Sequence, residues 1–172
     1  MHHSNANTAS YKIISKHDIC NVVFNEKTMQ HALRAARPIA NGEIISSFSA
    51  KEILNEPSFL SIQTGIEKHI LLDPEFLQYT NHSCEPNVFF DTTKMEQVAL
   101  RDIEEGEELC FFYPSTEWEM TQSFDCFCGH TACLGEIKGA AFLNEAARKK
   151  YRFTDYIQDM LNKHKKENKK VA

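Results

Sequence analysis

Two short stretches of the sequence contain residues that could bind a metal or a ligand. Residues 81–87 read Asn-His-Ser-Cys-Glu-Pro-Asn, so an amide, an imidazole, a thiol and a proline lie between two apolar segments. Proline cannot donate a hydrogen bond to a sheet, and it pushes the preceding residue towards extended geometry. This stretch, which we call the central turn, is predicted to be a rigid and irregular turn of the kind that often carries function.

The second stretch is a cluster of cysteines. Cys126, Cys128 and Cys133 form the spacing C-x-C-x4-C. Zinc takes four ligands in a tetrahedral arrangement, and thiolates suit it well. The cluster therefore predicts a zinc site, although reduced and unliganded thiols are the simpler alternative. The candidates for the fourth ligand are Cys84, His130, Cys20 and Cys110.

Composition indicates the class of protein. The chain has 172 residues, of which 42% are hydrophobic and 25% are charged, as in an ordinary globular domain. No apolar run approaches the roughly 20 residues that cross a bilayer, and the first ten residues lack the apolar core of a signal peptide. The sequence predicts an intracellular protein without a membrane partner, where reduced cysteines favour metal binding over disulfides.

Charge is distributed unevenly along the chain. The net charge is −5, but residues 163–172 contain five Lys and one Glu, a net of +4, which leaves −9 for the rest. An acidic body disfavours duplex nucleic acid as the main partner and suits a basic peptide or protein tail. A merely soluble acidic surface is the alternative interpretation.

The elements that must position these residues are mostly short strands. Runs rich in strand-forming residues occur at 11–14, 21–24, 43–48, 69–72, 87–90, 97–100 and 107–112. Residues 29–36 are ambiguous, and residues 51–68 are predicted to form a helical turn and a loop. Asp73-Pro74 is typical of a helix start, with Asp73 as the cap.

The C-terminal part has a different character. Beyond Gly139, apolar residues recur at helical spacing as far as Leu161, which predicts two helices packed on the body. The lysine-rich end has no apolar face and is predicted to be frayed or disordered.

The order of the motifs resembles that of the SET-domain protein lysine methyltransferases. The central turn matches the family's N-H-S-C-x-P-N motif, and residues 106–113, Gly-Glu-Glu-Leu-Cys-Phe-Phe-Tyr, match G-E-E-L-x-F-x-Y. The clustered cysteines and the following Leu134-Gly135 match the post-SET zinc motif, so the resemblance covers roughly residues 21–139. It implies a fold that is mainly β with α: short curled sheets surround a pseudoknot, in which the segment carrying Tyr113 threads beside the central turn.

The resemblance also implies a division of the chain. The expected parts are a disordered N-terminus (1–10), a SET domain (11–125), a post-SET zinc segment (126–139), C-terminal helices (140–162) and a basic tail (163–172).

The implied function is S-adenosylmethionine-dependent transfer of a methyl group to a lysine ε-amine of a protein, either a histone tail or another basic segment. Tyr113 is implied as the catalytic residue. The implied cofactor-binding residues are Ala32, Leu33, Asn81, His82, Tyr113, Trp118, Phe124 and Leu134. Phe111 and Phe48 would line the substrate channel, and a structural zinc would be held by Cys84, Cys126, Cys128 and Cys133.

Two departures from the family pattern keep alternatives open. The family's early G-x-G aligns with Gln30-His31-Ala32, where both glycines are missing, and Phe48 stands where Tyr is common. A SET-fold binding module that keeps its zinc but turns over weakly is the main alternative, and a purely structural zinc protein is another. A cysteine nucleophile with His82 as its base is disfavoured, because the motif offers no third group to orient the base.

Overall fold

The computed structural model describes residues 11–171, so the predicted disorder of residues 1–10 lies outside the described residues. The described part is mainly β, as predicted, with two α-helices near its C-terminal end. The strands are β1 (Tyr11–Lys16), β2 (Cys20–Asn25), β3 (Gln30–Ala35), β4 (Ile44–Ser47), β5 (Ser49–Leu54), β6 (Ile62–Gly65), β7 (Lys68–Asp73), β8 (Asn81–His82), β9 (Val88–Asp91), β10 (Glu96–Ala99), β11 (Cys110–Phe111), β12 (Phe124–Asp125) and β13 (Glu136–Ile137). The helices are α1 (Glu145–Lys150) and α2 (Asp155–Val171). None of the helices within residues 11–171 combines the length and the apolar character that a membrane span requires.

The strands form small sheets rather than one large sheet. Three sheets have three strands each, in the orders β1-β2-β3, β4-β10-β9 and β5-β7-β6. Two further pairs are the parallel β8 and β11 and the antiparallel β12 and β13. Short strands of this kind leave many chain segments at sheet edges, and the site described below is built from such segments.

The prediction for residues 51–68 was wrong, and the ambiguity at residues 29–36 resolves to β3. The structure continues β5 to Leu54 and adds β6, both paired with β7. β5 contains the exposed residues Lys51 and Glu52, which have weak strand propensity. Their sequence therefore gives no indication of the pairing with β7 that makes this segment a strand. Ile62 of β6 lies opposite Ile70 of β7, and both side chains are buried.

The short helix predicted to start at Asp73-Pro74 is present as a 3-10 helix, Glu75–Tyr79, but its predicted cap is wrong. Asp73 is the last residue of β7, where it pairs with Ser49, and a 3-10 turn begins only at Glu75. Pro74 occupies the capping position, and no side chain donates or accepts a capping hydrogen bond there. Sheet pairing therefore fixes the backbone of Asp73 in place of the expected capping role.

Two hydrophobic cores hold the sheets and helices together. The main core contains Leu33 of β3 and Phe111 of β11, whereas the second core contains Phe112, Ile157 and their neighbours below the C-terminal helices. Successive residues of an extended chain point to opposite sides. Phe111 and Phe112 therefore join the two cores, and the chain that follows them is held between both.

The lysine-rich end is helical rather than frayed. Ile157 and Leu161 are buried in the second core, and α2 continues from there through Val171. Lys, Glu and Gln have high helix propensity, so a helix anchored at its start extends through them without an apolar face of its own.

Gly139 fixes the position of the chain that follows Tyr113. Its φ is +120°, and a Cβ at this residue would lie 2.5 Å from the carbonyl oxygen of Trp118. Next to it, the backbone N–H of Ala140 donates to the carbonyl of Glu117 at 2.9 Å. The glycine thereby allows residues 139–141 to pack directly against residues 117–119.

We expect Gly139→Ala to lower the free energy of unfolding by about 3 kcal/mol, because the strained φ and the backbone clash add together. Urea denaturation monitored by circular dichroism measures this loss. Gly42→Ala is the matched control, since Gly42 also has a positive φ of +80° but a Cβ there would meet no atom within 4 Å, and it should cost about 1 kcal/mol. Equal losses for the two variants would contradict the close approach at Gly139.

Candidate active site and metal centre

The central turn and the segment ending at Tyr113 meet side by side. β8 and β11 pair in parallel, with Asn81 opposite Cys110 and His82 opposite Phe111. On the other side of this segment, the backbone N–H of Leu109 donates to the carbonyl of Leu33 in β3 at 2.8 Å. Residues 106–113 therefore lie between β3 and the central turn and are hydrogen-bonded to both.

Asn87 explains why the turn keeps this position. Its Oδ1 accepts the backbone N–H of Cys110 at 2.8 Å, and its Nδ2 donates to the carbonyl of Glu108 at 2.8 Å. Its own backbone N–H donates to the carbonyl of Cys110 at 3.0 Å. Because Asn87 is buried, these bonds replace the water that its amide would otherwise need.

An aromatic cavity of about 700 Å³ opens beside the tyrosine. Tyr113, Phe111, Phe124 and Phe90 all line it. The ring of Tyr113 lies 4.7 Å from that of Phe111 and 5.9 Å from that of Phe124, measured between centroids. Burial raises the pKa of Tyr113, so its hydroxyl stays protonated and can donate a hydrogen bond.

His82 connects the tyrosine to the cysteines. Its Nδ1 accepts the backbone N–H of Tyr113 at 3.2 Å, and its Nε2 lies 3.5 Å from Sγ of Cys84. Burial lowers the pKa of His82 to about 4, so the ring is neutral at physiological pH. Since Nδ1 is an acceptor, the proton of the neutral ring lies on Nε2 and points to the sulfur.

Four thiols gather beyond His82. The Sγ atoms of Cys84, Cys126, Cys128 and Cys133 all lie within 4.8 Å of one another. Cys84 is 3.9 Å from Cys126 and 4.0 Å from Cys133, between Sγ atoms. Zinc–sulfur bonds of about 2.3 Å in a tetrahedron would separate the sulfurs by about 3.8 Å. The separations of Cys84 from Cys126 and from Cys133 are close to this value, and the cluster is compact enough for the four sulfurs to share one metal ion.

The four thiols do not share one pKa. Burial raises the pKa of Cys84 and raises that of Cys126 to about 11. Burial acts the same way at Cys128, but hydrogen bonds led by the backbone of His130 outweigh it and lower that pKa to about 6. Backbone N–H groups thus stabilise a thiolate within the cluster.

The other candidates for the fourth ligand lie elsewhere. His130 pairs with Glu85, with 2.9 Å between Nδ1 and Oε2. Cys20 is buried in the main core, and Cys110 belongs to β11, where burial raises its pKa. Of the alternatives that the sequence left open, the structure brings Cys84 to the cluster.

Three of the residues predicted to bind a cofactor, Ala32, Leu33 and Asn81, lie on or beside β3. The buried Ala32 and Leu33 belong to β3, and Nδ2 of Asn81 donates to the carbonyl of His31 at 3.0 Å and to Oε1 of Glu108 at 2.9 Å. His31 stands at the middle position of the family's G-x-G pattern, and its ring packs 4.9 Å from that of Tyr79, measured between centroids. At the two positions where the family pattern has glycine, the side chain of Gln30 is exposed and that of Ala32 is buried.

Three predicted residues lie away from the cavity wall. Phe48 is buried in the main core behind Phe90, with 5.7 Å between ring centroids. Trp118 and Leu134 pack against the second core, although the backbone N–H of Leu134 points to Sγ of Cys84 at 3.4 Å. Of the predicted residues, Tyr113, Phe111 and Phe124 line the cavity, and the ring of His82 packs against those of Tyr113 and Phe124.

One residue of the cavity was missed by the sequence analysis. Glu117 is buried, yet it lines the cavity together with Tyr113. Its only signal in the sequence is a carboxylate placed one helical turn after the tyrosine, between Thr116 and Trp118. That pattern is common at protein surfaces and does not indicate burial.

Known proteins share the segment that carries this geometry. The family model described as SET domain matches residues 30–114. Methyltransferase flvH of Aspergillus flavus is 38% identical over 122 residues, which cover 70% of this chain and 68% of that protein. The chain belongs to the SET-domain family.

The predicted family and enzyme class are thereby confirmed. Two further proteins are similar over part of their length. A histone-lysine N-methyltransferase of Yarrowia lipolytica, H3 lysine-36 specific, is 31% identical over 140 residues, covering 67% of this chain but only 18% of that protein. A crystal structure of KRYPTONITE in complex with mCHG DNA and SAH has 19% identity and a TM-score of 0.48, covering 62% of this chain and 26% of that one.

The matched SET domain begins with β3 and ends directly after Tyr113. The clustered cysteines Cys126, Cys128 and Cys133 lie beyond it.

Proposed function

We propose that this SET-domain protein is an S-adenosylmethionine-dependent protein lysine N-methyltransferase. The observation that carries the proposal is the position of Tyr113, half-buried at the wall of an aromatic cavity and bonded through its backbone to His82 of the central turn. The names of relatives that act on histone lysines support the substrate class.

The cavity suits a lysine side chain on chemical grounds. A lysine amine has an ordinary pKa of about 10.4 and is a nucleophile only when neutral, and burial in an apolar environment lowers its pKa. The rings of Phe111, Phe124 and Phe90 provide that environment. The protonated hydroxyl of Tyr113 orients the reacting groups rather than acting as a base, since burial raises its pKa further.

The residues beside β3 fit the proposed cofactor, whose sulfonium supplies the methyl group. Such a cofactor has an ammonium and a carboxylate at one end. Glu108 offers a carboxylate next to Asn81, and Arg34, which bridges to Glu108 through the backbone, has an Nε that is buried without a hydrogen-bond partner. An unpaired buried donor is costly, and an anionic group would satisfy it.

The thiol cluster fits a structural zinc ion. Four thiolates satisfy the coordination of zinc and leave no open position for catalysis. We propose that Cys84, Cys126, Cys128 and Cys133 hold the metal and thereby tie the segment after β12 to the central turn. We further propose the domain division set out above, with the zinc segment at residues 126–139.

The proposed partner is a basic protein segment such as a histone tail. The sequence outside residues 163–172 carries a net charge of −9, which favours association with lysine-rich and arginine-rich peptides. An intracellular location, where histones and other basic proteins occur, is part of the proposal.

The purified protein should transfer labelled methyl groups from S-adenosylmethionine to lysines of core histones or of proteins in a cell lysate. Mass spectrometry of the labelled peptides identifies the modified atom. Cofactor binding in calorimetry without any transfer would contradict the proposal and favour a binding module. Absence of both would indicate a purely structural zinc protein.

The ring of Phe111 should determine how many methyl groups are added. It lines the cavity and carries no hydroxyl, which leaves room for an amine that already bears a methyl group. We expect wild-type protein to produce dimethyl-lysine or trimethyl-lysine, and Phe111→Tyr to produce mainly monomethyl-lysine.

Mass spectrometry of a single peptide after exhaustive reaction measures the distribution. Phe89→Tyr is a suitable control, because Phe89 is buried but is not part of the cavity wall. Monomethylation alone by excess wild-type protein would contradict this assignment of Phe111.

A further inference from the structure

Glu117 lies one turn of chain after the tyrosine. The backbone N–H of Glu117 donates to the carbonyl of Tyr113 at 3.1 Å, which closes a single helical turn. Side chains four residues apart on such a turn point to the same side. Both residues accordingly line the aromatic cavity.

The two carboxyl oxygens of Glu117 have different surroundings. Oε1 accepts the backbone N–H of Gln63 at 2.9 Å and the hydroxyl of Thr116 at 3.1 Å. Oε2 has no hydrogen bond from the residues the structure describes, and Nδ1 of His69 lies 4.0 Å from it. One oxygen thus fixes the side chain, while the other is free to interact with a ligand.

His69 does not neutralise this carboxyl. It is buried, its Nδ1 has no hydrogen-bond partner, and burial lowers its pKa. Lys, Arg or protonated His is the usual partner of a buried carboxylate. Among residues 11–167, the only basic side chain within 4.0 Å of the Glu117 carboxyl is that of His69, and its imidazole is neutral.

A buried carboxyl with one satisfied oxygen, at the wall of a cavity that receives a cation, has a direct use. We propose that Oε2 of Glu117 binds the incoming lysine ammonium and accepts its proton before methyl transfer. This inference rests on the proposed function, because the cavity must receive lysine for the step to occur.

The step balances without a further reactant. The ammonium transfers one proton to the carboxylate, giving a neutral amine and a protonated Glu117. The amine nitrogen then forms a bond to the methyl carbon while the sulfonium–methyl bond breaks, and the bond electrons stay on sulfur. Glu117 returns its proton to water before the next cycle.

The protonation of Glu117 suits this role near neutral pH. Burial raises the pKa of Glu117 to about 7, although the hydrogen bonds from Gln63 and Thr116 act in the opposite direction. A proton acceptor works best when its pKa lies near the working pH. The titratable groups that face it are Tyr113 on its own segment and His69 on β7, whose pKa values are raised and lowered respectively.

The test compares kcat as a function of pH for wild type and Glu117→Gln, which keeps the acceptor oxygen for Gln63. In wild type, kcat should rise up to about pH 7 and then level off, because only the ionised carboxylate accepts a proton. In Glu117→Gln, kcat at pH 7 should fall by about 100-fold. It should also keep rising towards the pKa of free lysine, about 10.4, because the amine must then arrive neutral.

Two further variants exclude a merely structural effect. Glu117→Asp keeps a carboxyl and should recover part of the rate and the levelling near neutral pH. Glu119→Gln changes an exposed carboxyl on the same segment and should leave the profile unchanged. Calorimetric binding of S-adenosylmethionine should be the same in all variants. Carbon-13 NMR should show a Glu carboxyl titrating near neutrality in wild type that is missing from Glu117→Gln.

The outcomes separate the two proposals. A wild type that transfers methyl groups, with Glu117→Gln showing the same rate and pH profile, would overturn the role of Glu117 and leave the proposed function standing. A wild type without any transfer would overturn both.

Discussion

Tyr113→Phe should lower kcat for methyl transfer by about 100-fold to 1,000-fold, the usual cost of removing one positioned hydrogen-bond donor from an active site. The hydroxyl is the only group removed, and the ring that packs against Phe111 and Phe124 remains. Stability and cofactor affinity should therefore change little. Steady-state kinetics with labelled S-adenosylmethionine measures the loss.

Tyr156→Phe is the matched control for this variant. Tyr156 is half-buried on α2, and its hydroxyl takes part in one long contact, 3.4 Å from Nε2 of Gln63. It lies outside the cavity wall, and its removal should leave kcat within about threefold, the effect of a weak hydrogen bond. A similarly small change for Tyr113→Phe would remove the tyrosine hydroxyl from the proposed chemistry.

Loss of the metal ligand Cys84 should have the largest effect on stability. We expect Cys84→Ser to purify without zinc and to unfold at a temperature lower by at least about 10 °C, because structural zinc contributes folding free energy directly. Prolonged treatment of wild type with a chelator should produce the same shift. The reason is geometric, since Cys84 lies within 4.0 Å of both Cys126 and Cys133 and joins two distant segments.

Metal content decides whether the effect comes from zinc. Inductively coupled plasma mass spectrometry should find about one zinc per wild-type chain, as expected for a single four-thiolate site. Cys20→Ala provides the control, because Cys20 is equally buried but lies in the main core away from the cluster. It should keep its zinc even if its stability falls. Full zinc occupancy in Cys84→Ser would contradict the assignment.

The sequence predicted the fold class, and it predicted that the central turn lies beside the segment that carries Tyr113. Strand-forming runs separated by turn residues report local backbone preference, and they correspond to most of the observed strands. The central turn is dense in residues with unusual backbone or hydrogen-bonding demands, such as Pro86 and Asn87. Such residues rarely occur together unless a specific structure uses them.

What the sequence could not predict depends on distant partners. Lys51 and Glu52 become strand residues only because β7 pairs with them. Glu117 has the composition of a surface residue, and its burial depends on Gln63, more than fifty positions earlier. Likewise, the side chain of Phe48 packs into the main core and that of Trp118 packs against the second core, and residues close in sequence do not determine this packing.

The position of His82 between Tyr113 and Cys84 determines when, during synthesis of the chain, the contacts around Tyr113 can all form. The imidazole holds the backbone of Tyr113 through Nδ1 and faces the sulfur of Cys84 through Nε2. That sulfur gains its remaining partners only when Cys133 has left the ribosome, nearly fifty residues after Cys84. The part that matches the SET domain, residues 30–114, therefore contains only one of the four thiols of the cluster. The surroundings of the nascent tyrosine are complete only after the last cysteine has been added.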